Sequence, residues 1–383
     1  MTEYIHVYSN DGSTFVYPSE RSKIMDNPKI DSEKSDAFAD QMIDMLNYGA
    51  LALMTSIGHR SGLFDTMKDM KPAPSDDIAR AAGLDERYVR EWLGAMVTGG
   101  IVECNPEGSR YYLPGEHSRW LTREASPDNI AVFAQYISQL GSVEDQILSC
   151  FKQGGGVPYS EYRRFHEIMA EDSGQTVVAA LMDSILPLVP GLMDRLKKGI
   201  DVLDVGCGSG RALNLMAKNF PNSRFVGYDL SAEALHTARM EAEKETLLNV
   251  CYEEKDLTDF DVQGRFDFIT AFDAIHDQVR PDRVLAGIFK SLKTGSVFLM
   301  QDIAASSQVY KNIGHPVGPL LYTISCMHCM SVSLEQNGAG LGAMWGEEKA
   351  REMLSEAGFS DIRVKQLPHD FQNYFYIMKK GAE

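Results

Sequence analysis

Several features are scarce in this chain of 383 residues, and each scarcity excludes a class of protein. No uninterrupted apolar run approaches the roughly 20 residues that a membrane-spanning helix needs, so no membrane partner is predicted. The opening stretch, MTEYIHVYSNDGS, has no basic region followed by an apolar one, and we expect no signal peptide. The 6 cysteines are too few for a disulfide scaffold in a chain of this length, which favours a reducing, cytoplasmic location.

Basic charge is also in short supply. The chain has 37 Lys and Arg against 54 Asp and Glu, a formal net charge of −17. A protein that holds nucleic acid through its phosphates needs a clustered basic surface. The basic pair Lys379-Lys380 lies in the tail and is more typical of a solvated chain end. The sequence therefore predicts no nucleic-acid partner.

Apolar spacing and turn residues divide the chain into four predicted segments. Residues 1–34 form an extension that holds one hairpin around an Asn-Asp-Gly turn. Residues 35–125 form a helical domain whose Met-rich stripes are typical of core or dimer contacts, and residues 126–198 form a helical connector. The fourth segment, residues 199–383, is expected to bind the ligand.

The stretch 74–122 has the pattern of a winged helix. PSDDIARAAGLDERYVREWLGAMVTGG predicts two helices separated by a glycine turn, and IVECNPEGSRYYLP predicts two short strands. In the helix that would read DNA, Arg87 and Arg90 are balanced by Glu86 and Glu91, and most other positions are apolar. A DNA-reading helix presents a basic face. The pattern therefore favours a dimer-forming module over a DNA-binding one.

From Asp201 onward, strand-like runs alternate with helical ones. The strand-like runs are VLDVG, RFVGYDL, NVCYEEKDL, FDFITAF and SVFLMQDI. This alternation predicts an α/β fold with a doubly wound, Rossmann-like sheet. The chain then closes with DIRVKQL and NYFYIMKK, whose short connection requires an antiparallel last strand. A lid insertion is expected over about residues 304–346, between the fifth strand and the last helix.

The most specific motif, LDVGCGSGR, joins the first of these strands to a helix. Glycines at 206, 208 and 210 let the backbone turn sharply and let a ligand lie against it. A dinucleotide loop spaces its glycines as G-x-G-x-x-G, whereas here the third glycine comes one residue early. Asp204 precedes the first glycine by two residues, and a carboxylate there suits an ammonium group better than phosphates.

Acids also end the next two strands. Asp229 is placed to accept hydrogen bonds from ribose hydroxyls, and Asp256, followed by the apolar Leu257, is placed to meet adenine. Three acids at successive strand ends would be unpaired charges at a crevice rim unless a ligand used them. Together they indicate a nucleoside-binding edge.

With these motifs the second half resembles the class I S-adenosylmethionine-dependent methyltransferase family. From about residue 36 the chain resembles its winged-helix small-molecule branch, which includes plant-type O-methyltransferases and related bacterial enzymes. The matching stretches are DVLDVGCGSG, FVGYDLS, KDL and FDFITAFDAIHD. The resemblance implies S-adenosylmethionine as cofactor, a small-molecule substrate and a homodimer built through the N-terminal domain. The implied cofactor-binding residues are Asp204, Gly206, Cys207, Gly208, Gly210, Asp229, Leu230, Asp256, Leu257, Phe272 and Asp273.

The resemblance also assigns a catalytic role to His276. Methyl transfer to a hydroxyl requires alignment, exclusion of water and a base that takes the proton. In plant-type O-methyltransferases the base is a histidine followed by an aspartate, and carried over here the base is His276. Adjacent residues on a helix do not face each other, so Asp277 is compatible with capping a helix as well as with assisting His276. The plant motif continues with Trp, where this chain has Gln278.

Candidate acceptor contacts come from more scattered stretches. In ISCMHCMSVSL, Cys326 and Cys329 share one helical face and His328 points away. A zinc site needs a second ligand pair, so we predict no metal and an apolar lid helix instead. The candidate substrate residues are Tyr159, Met169, Cys326, His328, Trp345, His369 and Asn373, and His166 of the connector is a further candidate.

Three functions remain open at this point. His276 favours O-methylation of a small molecule, but a thiol ionises readily enough to be methylated without a base. A cofactor-sensing winged-helix transcriptional regulator is the alternative from another class. A methyltransferase-like binding protein without turnover is the third.

Overall fold

The structure is a computed structural model that describes residues 4–8, 14–18, 30–105, 109–259 and 261–381. The chain divides into two compact units, Met1–Gly49 and Ala50–Glu383. In the first unit, β1 (Tyr4–Tyr8) and β2 (Thr14–Pro18) pair antiparallel at the positions of the predicted hairpin. The predicted Asn-Asp-Gly turn between them lies outside the described residues.

Two helices precede the winged-helix stretch. These are α1 (Ser32–Ser61) and α2 (Leu63–Lys68). Gly62 separates them with a φ of +75°, a left-handed conformation that glycine adopts without steric cost. Phe64 of α2 is fully buried and contacts Trp92 edge-to-face, with ring centroids 5.3 Å apart. This apolar contact anchors the helical domain.

The predicted winged helix is present in the structure. It comprises α3 (Ser75–Ala82), α4 (Glu86–Thr98), β3 (Glu103–Asn105) and β4 (Arg110–Tyr112). Asp85 caps α4 by accepting hydrogen bonds from the backbone N–H groups of residues 87 and 88. Arg87 pairs with Glu91 and Arg90 with Glu86, as the sequence predicts. The charges on α4 are therefore neutralised within the helix.

A run of helices leads from the winged helix to the sheet. They are α5 (Gly115–Leu121), α6 (Ala134–Gly141), α7 (Glu144–Gln153), α8 (Phe165–Thr176) and α9 (Leu192–Lys198). In the described part of the chain no single helix is long and apolar enough to cross a membrane. One bent pair, Phe165–Leu188 with Leu192–Lys198, satisfies that test by length and composition alone.

The C-terminal half is a seven-stranded sheet in the order β10-β11-β9-β8-β5-β6-β7. Its strands are β5 (Asp201–Val205), β6 (Arg224–Asp229), β7 (Val250–Glu254), β8 (Phe266–Phe272), β9 (Leu292–Ile303), β10 (Ser360–Leu367) and β11 (Asp370–Lys379). β11 runs antiparallel to both neighbours, and the pairs among β5 to β9 are parallel. The predicted doubly wound sheet with an antiparallel last strand is confirmed.

Helices pack against this sheet through two apolar clusters. The helices of this half are α10 (Arg211–Asn219), α11 (Ala232–Lys244), α12 (Pro281–Ser291), α13 (Gly318–Ile324), α14 (Met330–Glu335) and α15 (Gly346–Glu356). One cluster holds buried residues of α12 and α15, and the other holds those of α9, α10 and α11. Their burial against the β-strands accounts for the three-layer architecture.

The strand order places two loops side by side. From β5 the chain continues outward through β6 and β7, then returns to the other side of β5 as β8. The carboxyl ends of β5 and β8 flank this reversal, which is where ligands bind in open α/β sheets. The glycine loop after β5 and the turn after β8 that carries His276 therefore meet at one edge.

The insertion, residues 304–345, separates β9 from α15. It contains α13, a π-helical turn at Ser325–Cys329, and α14. The sequence predicts one regular lid helix here, whereas the π turn interrupts it. A π turn is wider than an α turn, so it changes which side chains face inward.

Candidate active site

The loop after β5 depends on its glycines. Gly206 and Gly208 have φ values of +72° and +50°. A Cβ at Gly206 would lie 2.4 Å from the Cβ of Ala274, so only glycine permits this approach between the β5 and β8 loops. A Cβ at Gly208 would meet nothing within 4 Å, which leaves open space above the loop.

Asp229, at the end of β6, is fixed by backbone donors. Its two carboxylate oxygens accept 2.8 Å hydrogen bonds, one from the N–H of Gly208 and one from the N–H of Ser231. We call the loop 206–210 together with residues 229–231 the glycine edge. Each oxygen can accept a further bond, so two neighbouring hydroxyl donors would fit this carboxylate.

Two further acids lie beside the glycine edge. Asp204 accepts a 2.7 Å hydrogen bond from the Thr270 hydroxyl, and burial raises its pKa to about 7. Asp273 is half-buried, its buried Oδ1 atom has no hydrogen-bond partner among the described residues, and its pKa is raised well above its usual range by burial and by Asp302. Within the described residues, neither acid nor Asp229 has a lysine or arginine partner. In the described residues, the carboxylates of this edge are therefore not paired with a cationic side chain.

His276 lies in the turn after β8 and is held by Asp302. The His276 Nδ1 and Asp302 Oδ1 atoms are 2.8 Å apart, and both side chains are buried. The same Oδ1 atom accepts from the Trp345 indole N–H and from the Ile303 N–H, each at 2.9 Å. Because a carboxylate only accepts, Nδ1 of His276 carries a proton and Nε2 is the basic atom of the neutral ring.

The protonation of His276 reflects two opposing effects. Burial favours the neutral ring, but the Asp302 carboxylate outweighs it and holds the pKa of His276 well above its usual value. The Cys329 thiol is a further hydrogen-bond neighbour of the ring. Asp302, and not Asp277, therefore orients His276.

Asp277 does not cap a helix. The following helix, α12, begins at Pro281 with Arg280 at its N-cap, four residues after the turn that holds His276. The capping alternative for Asp277 is wrong because the chain leaves β8 in a turn. Burial raises the pKa of Asp277 to about 6.

A cavity adjoins His276, and its empty space, counted together with the part open to solvent, is about 620 Å³. Its walls come from α6, α8, the β8 turn, the insertion and the start of β11. The lining residues are Phe133, Tyr136, Phe165, Met169, Asp172, Asp273, His276, Asp277, Ile303, Leu320, Leu321, Ile324, His328, Cys329, Ala343, Gln372 and Asn373. A largely apolar cavity with a few convergent polar groups is typical of a small-molecule site.

His328 lines this cavity, in agreement with its choice as a candidate substrate residue, whereas the expected face shared by Cys326 and Cys329, with His328 pointing away, is wrong. His328 is fully buried, and its ring stacks on Phe165 with centroids 3.4 Å apart and planes 10° apart. His328 and Cys329 line the cavity, while Cys326 does not. The physical reason is the π turn, which rotates the side chains relative to a regular helix.

Family models match both halves of the chain. An Rv2258c-like winged helix–turn–helix domain matches residues 49–123, and a methyltransferase domain matches residues 196–358. The chain therefore carries a winged helix–turn–helix domain followed by a methyltransferase domain. This agrees with the resemblance seen in the glycine, Asp229 and His276 motifs.

Individual proteins of the family are more distant. The mitochondrial ubiquinone biosynthesis O-methyltransferase of Candida albicans is 33% identical over 106 residues, covering 27% of this chain and 32% of that protein. The match thus spans about a third of the length of that curated relative.

Solved structures match almost the whole of this methyltransferase. Human N-acetylserotonin methyltransferase, solved with its cofactor, has a TM-score of 0.65 at 15% identity and covers 94% of this chain and 100% of that one. An O-methyltransferase family protein from Burkholderia thailandensis has a TM-score of 0.61 at 17% identity, covering 90% and 98%. At these identities the likeness shows the fold.

A methyltransferase domain implies S-adenosylmethionine as cofactor, and the glycine edge fits it. Asp229 can accept from two ribose hydroxyls, and Leu230 beside it is 60% exposed, offering an apolar surface to a base. The unpartnered Oδ1 of Asp273 and the uncompensated Asp204 suit a ligand that carries positive charge. Cys207 lies between the glycines, half-buried.

Other predicted cofactor residues have local roles in the structure. Asp256 is exposed and accepts from the N–H and hydroxyl of Thr258, at 2.9 and 2.7 Å. Leu257 is buried in the apolar cluster that includes α12, and Phe272 packs against the other cluster. The assignment of Asp256 and Leu257 to adenine remains a prediction.

The predicted acceptor residues divide into two groups. Met169, His328 and Asn373 line the cavity. Tyr159 does not line the cavity but contacts the His328 ring edge-on. Its hydroxyl oxygen lies 3.3 Å from Nδ1 of His166. The structure does not bring Cys326, Trp345 or His369 to the cavity: Trp345 is in the core beside Asp302, and His369 is exposed in the turn between β10 and β11.

Sequence reasoning missed Asp302 and Asp172. Asp302 lies at the end of an apolar strand, where the acid of QDI gives the same signal as Asp204 and Asp229. Asp172, on α8, accepts from the Tyr136 hydroxyl at 2.8 Å, and burial raises its pKa to about 7. The sequence around Asp172 gives no comparable signal.

Proposed function

We propose that this protein transfers a methyl group from S-adenosylmethionine to a hydroxyl of a small molecule bound in the cavity. The observation that carries this proposal is the buried His276–Asp302 pair, 2.8 Å apart, whose histidine lines the cavity. The domain type supports the cofactor, and the cavity supports an acceptor of small-molecule size.

S-adenosylmethionine, when bound, supplies an electrophilic methyl group on a sulfonium. His276 Nε2 takes the hydroxyl proton as the C–O bond forms and the methyl–sulfur bond breaks. Asp302 keeps Nδ1–H bonded and stabilises the resulting imidazolium. The buried walls of the cavity exclude water from the reacting atoms.

Methylation of a thiol is the second candidate. The specific observation in its favour is the raised pKa of His276, because an imidazolium pairs well with an acceptor that enters already ionised. The transcriptional-regulator alternative has less support, since both arginines of α4 are paired within the helix.

Labelled methyl groups test the proposal. The protein is incubated with methyl-labelled S-adenosylmethionine and a cell metabolite extract, and labelled products are identified by mass spectrometry. We expect a small molecule whose mass rises by one labelled methyl group, and far less of this product over the same time with His276→Gln. Cofactor binding without a labelled product would contradict the proposal.

A pretreated extract separates the two acceptors. Alkylating the thiols of the extract before the assay leaves an O-methylated product unchanged. The same treatment removes an S-methylated product, in which case thiol methylation replaces the first proposal.

The assembly and location complete the proposal. Support for a homodimer comes from the large apolar side chains that α1 exposes, such as Phe38 at 60% and Leu46 at 69%. Light scattering of the purified protein should give twice the chain mass, and a monomer would contradict it. The domain division predicted from the sequence and a cytoplasmic location, expected from the few cysteines, are part of the same proposal.

A further inference from the structure

His328 has two polar atoms in the cavity wall that nothing satisfies. Both ring nitrogens are buried, and neither has a hydrogen-bond partner within the described ranges. Such a group in a native structure calls for an explanation, since an unpaired buried polar atom is costly.

The ring is held firmly in this position. One face stacks on Phe165, and the edges of Tyr162 and Tyr159 contact it with centroids 4.7 and 5.4 Å away. The Tyr162 hydroxyl donates to the carbonyl of Met327, which ties the aromatic group to the π turn itself. Aromatic packing explains where the ring lies but leaves its nitrogens unused.

Burial also determines the form of the ring. It lowers the pKa of His328 well below the usual value, and the nearby His276 and His166 act in the same direction. His328 is therefore a neutral imidazole, with one N–H donor and one acceptor nitrogen. A neutral ring of this kind matches a hydroxyl or a carbonyl, and it offers no charge to an anion.

The two histidines of the cavity thus present different chemistry to one ligand. His276 is held by Asp302 and serves the reacting hydroxyl. His328 lies in the aromatic wall, and its nitrogens have no hydrogen-bond partner among the described residues. We propose that the acceptor is a planar molecule with two uncharged oxygen groups: the hydroxyl that meets His276 and a second hydroxyl or carbonyl that hydrogen-bonds to His328. This inference rests on the proposed function for the first group and stands on the geometry of His328 for the second.

Phenol and the three dihydroxybenzenes are suitable probes because they share one ring and differ only in the second oxygen. Their dissociation constants are measured with the full-length protein loaded with S-adenosylhomocysteine, in the wild type and in His328→Phe, which preserves the stacked ring. In the wild type we expect at least one dihydroxybenzene to bind about tenfold or more tightly than phenol. In His328→Phe the same compound and phenol should bind equally within about twofold.

Nuclear magnetic resonance supplies a readout that does not depend on affinity. With ¹⁵N-labelled histidine, His328 should show the neutral ring pattern at pH 7, and its nitrogen shifts should move when the preferred dihydroxybenzene is added. His236→Phe, at an exposed position of α11, is the matched control and should keep the wild-type preference.

Three results would overturn the inference. They are equal binding of phenol and all three dihydroxybenzenes to the wild type, a preference that survives in His328→Phe, and no measurable binding of any probe. Methyl transfer is scored separately with labelled cofactor. Discrimination without transfer contradicts only the proposed reaction, and transfer without discrimination contradicts only the role of His328.

Discussion

The glycine edge and the cavity are assembled in different ways. The glycine edge is made by loops next to their own strands, and backbone N–H groups fix its central carboxylate, Asp229. The cavity is made by side chains from residues 133 to 373, contributed by helices, the insertion and the last strand. The first arrangement presents rigid backbone donors and acids to one constant ligand, whereas the second forms only when distant segments pack correctly. Binding of the cofactor and choice of the acceptor are therefore separable by mutation.

His276→Gln should have the largest effect on activity. Glutamine can hydrogen-bond but cannot take the acceptor proton, so we expect kcat to fall by about 10²- to 10⁴-fold. The dissociation constant of S-adenosylmethionine, measured by calorimetry, should change by less than about twofold. His236→Gln, on the exposed face of α11, serves as control. Near-wild-type rates in His276→Gln across pH would show that another group is the base.

Asp302→Asn should lower kcat about 10- to 100-fold and change its pH dependence. The neutral ring of His276 is the active base, and Asp302 raises its pKa, so kcat/KM of the wild type should rise with pH above neutrality. Without the carboxylate, burial dominates and that pKa falls, so the rise moves to lower pH.

Trp345→Phe sharpens this test because it should act in the opposite direction. Losing the indole donor leaves the Asp302 carboxylate less neutralised, so the pKa of His276 increases and the rise in kcat/KM moves to higher pH. Profiles of kcat/KM against pH for Asp302→Asn and Trp345→Phe will show whether the two shifts have opposite signs. Shifts of the same sign would contradict the assigned network.

Asp229→Asn should affect the other half of the site. Losing the charge on an acceptor of ribose hydroxyls should weaken S-adenosylmethionine binding by about 10- to 100-fold. The dissociation constant of the dihydroxybenzene probe should stay nearly unchanged. Asp361→Asn, which removes only an exposed ion pair with Arg363, is the control and should bind the cofactor normally. Equal losses for both ligands would mean that the two halves are not separable.

Gly156→Ala should have the smallest effect on activity and should leave the glycine edge unchanged. A Cβ there would lie 1.8 Å from the carbonyl oxygen of Ser331, a backbone atom of α14. Overpacking of this kind costs about 1–3 kcal/mol, so we expect a lower melting temperature and weaker probe binding with normal cofactor binding. Gly141→Ala, where a Cβ meets nothing within 4 Å, should leave the melting temperature nearly unchanged. A stable Gly156→Ala protein with normal probe binding would contradict the close packing of α14.

The same contrast explains what the sequence predicts well. The sheet, the winged helix and the glycine edge depend on local spacing, so LDVGCGSGR, Asp229 and His276 can be recognised from the amino-acid sequence alone. The sequence analysis misses Asp302 as the hydrogen-bond partner of His276. Asp302 is the last residue but one of β9, as Asp204 is of β5. The spacing of apolar residues along the chain does not show which side chains of two separate strands will contact each other.

The cavity is less predictable for a physical reason. The orientation of His328 depends on a π turn that the helical spacing of ISCMHCMSVSL does not indicate. For Trp345 the sequence leaves open a wall of the acceptor site or core packing, and in the structure it lies in the core, where it donates to Asp302. Some of the predicted acceptor residues line the cavity and others do not. Which of them do depends on packing between segments that are far apart in sequence.

The single carboxylate oxygen of Asp302 has a consequence beyond orientation. It bonds both the ring that takes the proton and Trp345, the last residue of the insertion, at the start of α15. Proton affinity at His276 and the strength of the Trp345–Asp302 hydrogen bond are therefore thermodynamically linked, and the linkage is reciprocal. Removing the indole donor makes His276 hold a proton more tightly, and protonating His276 weakens the hydrogen bond that Asp302 accepts from the indole.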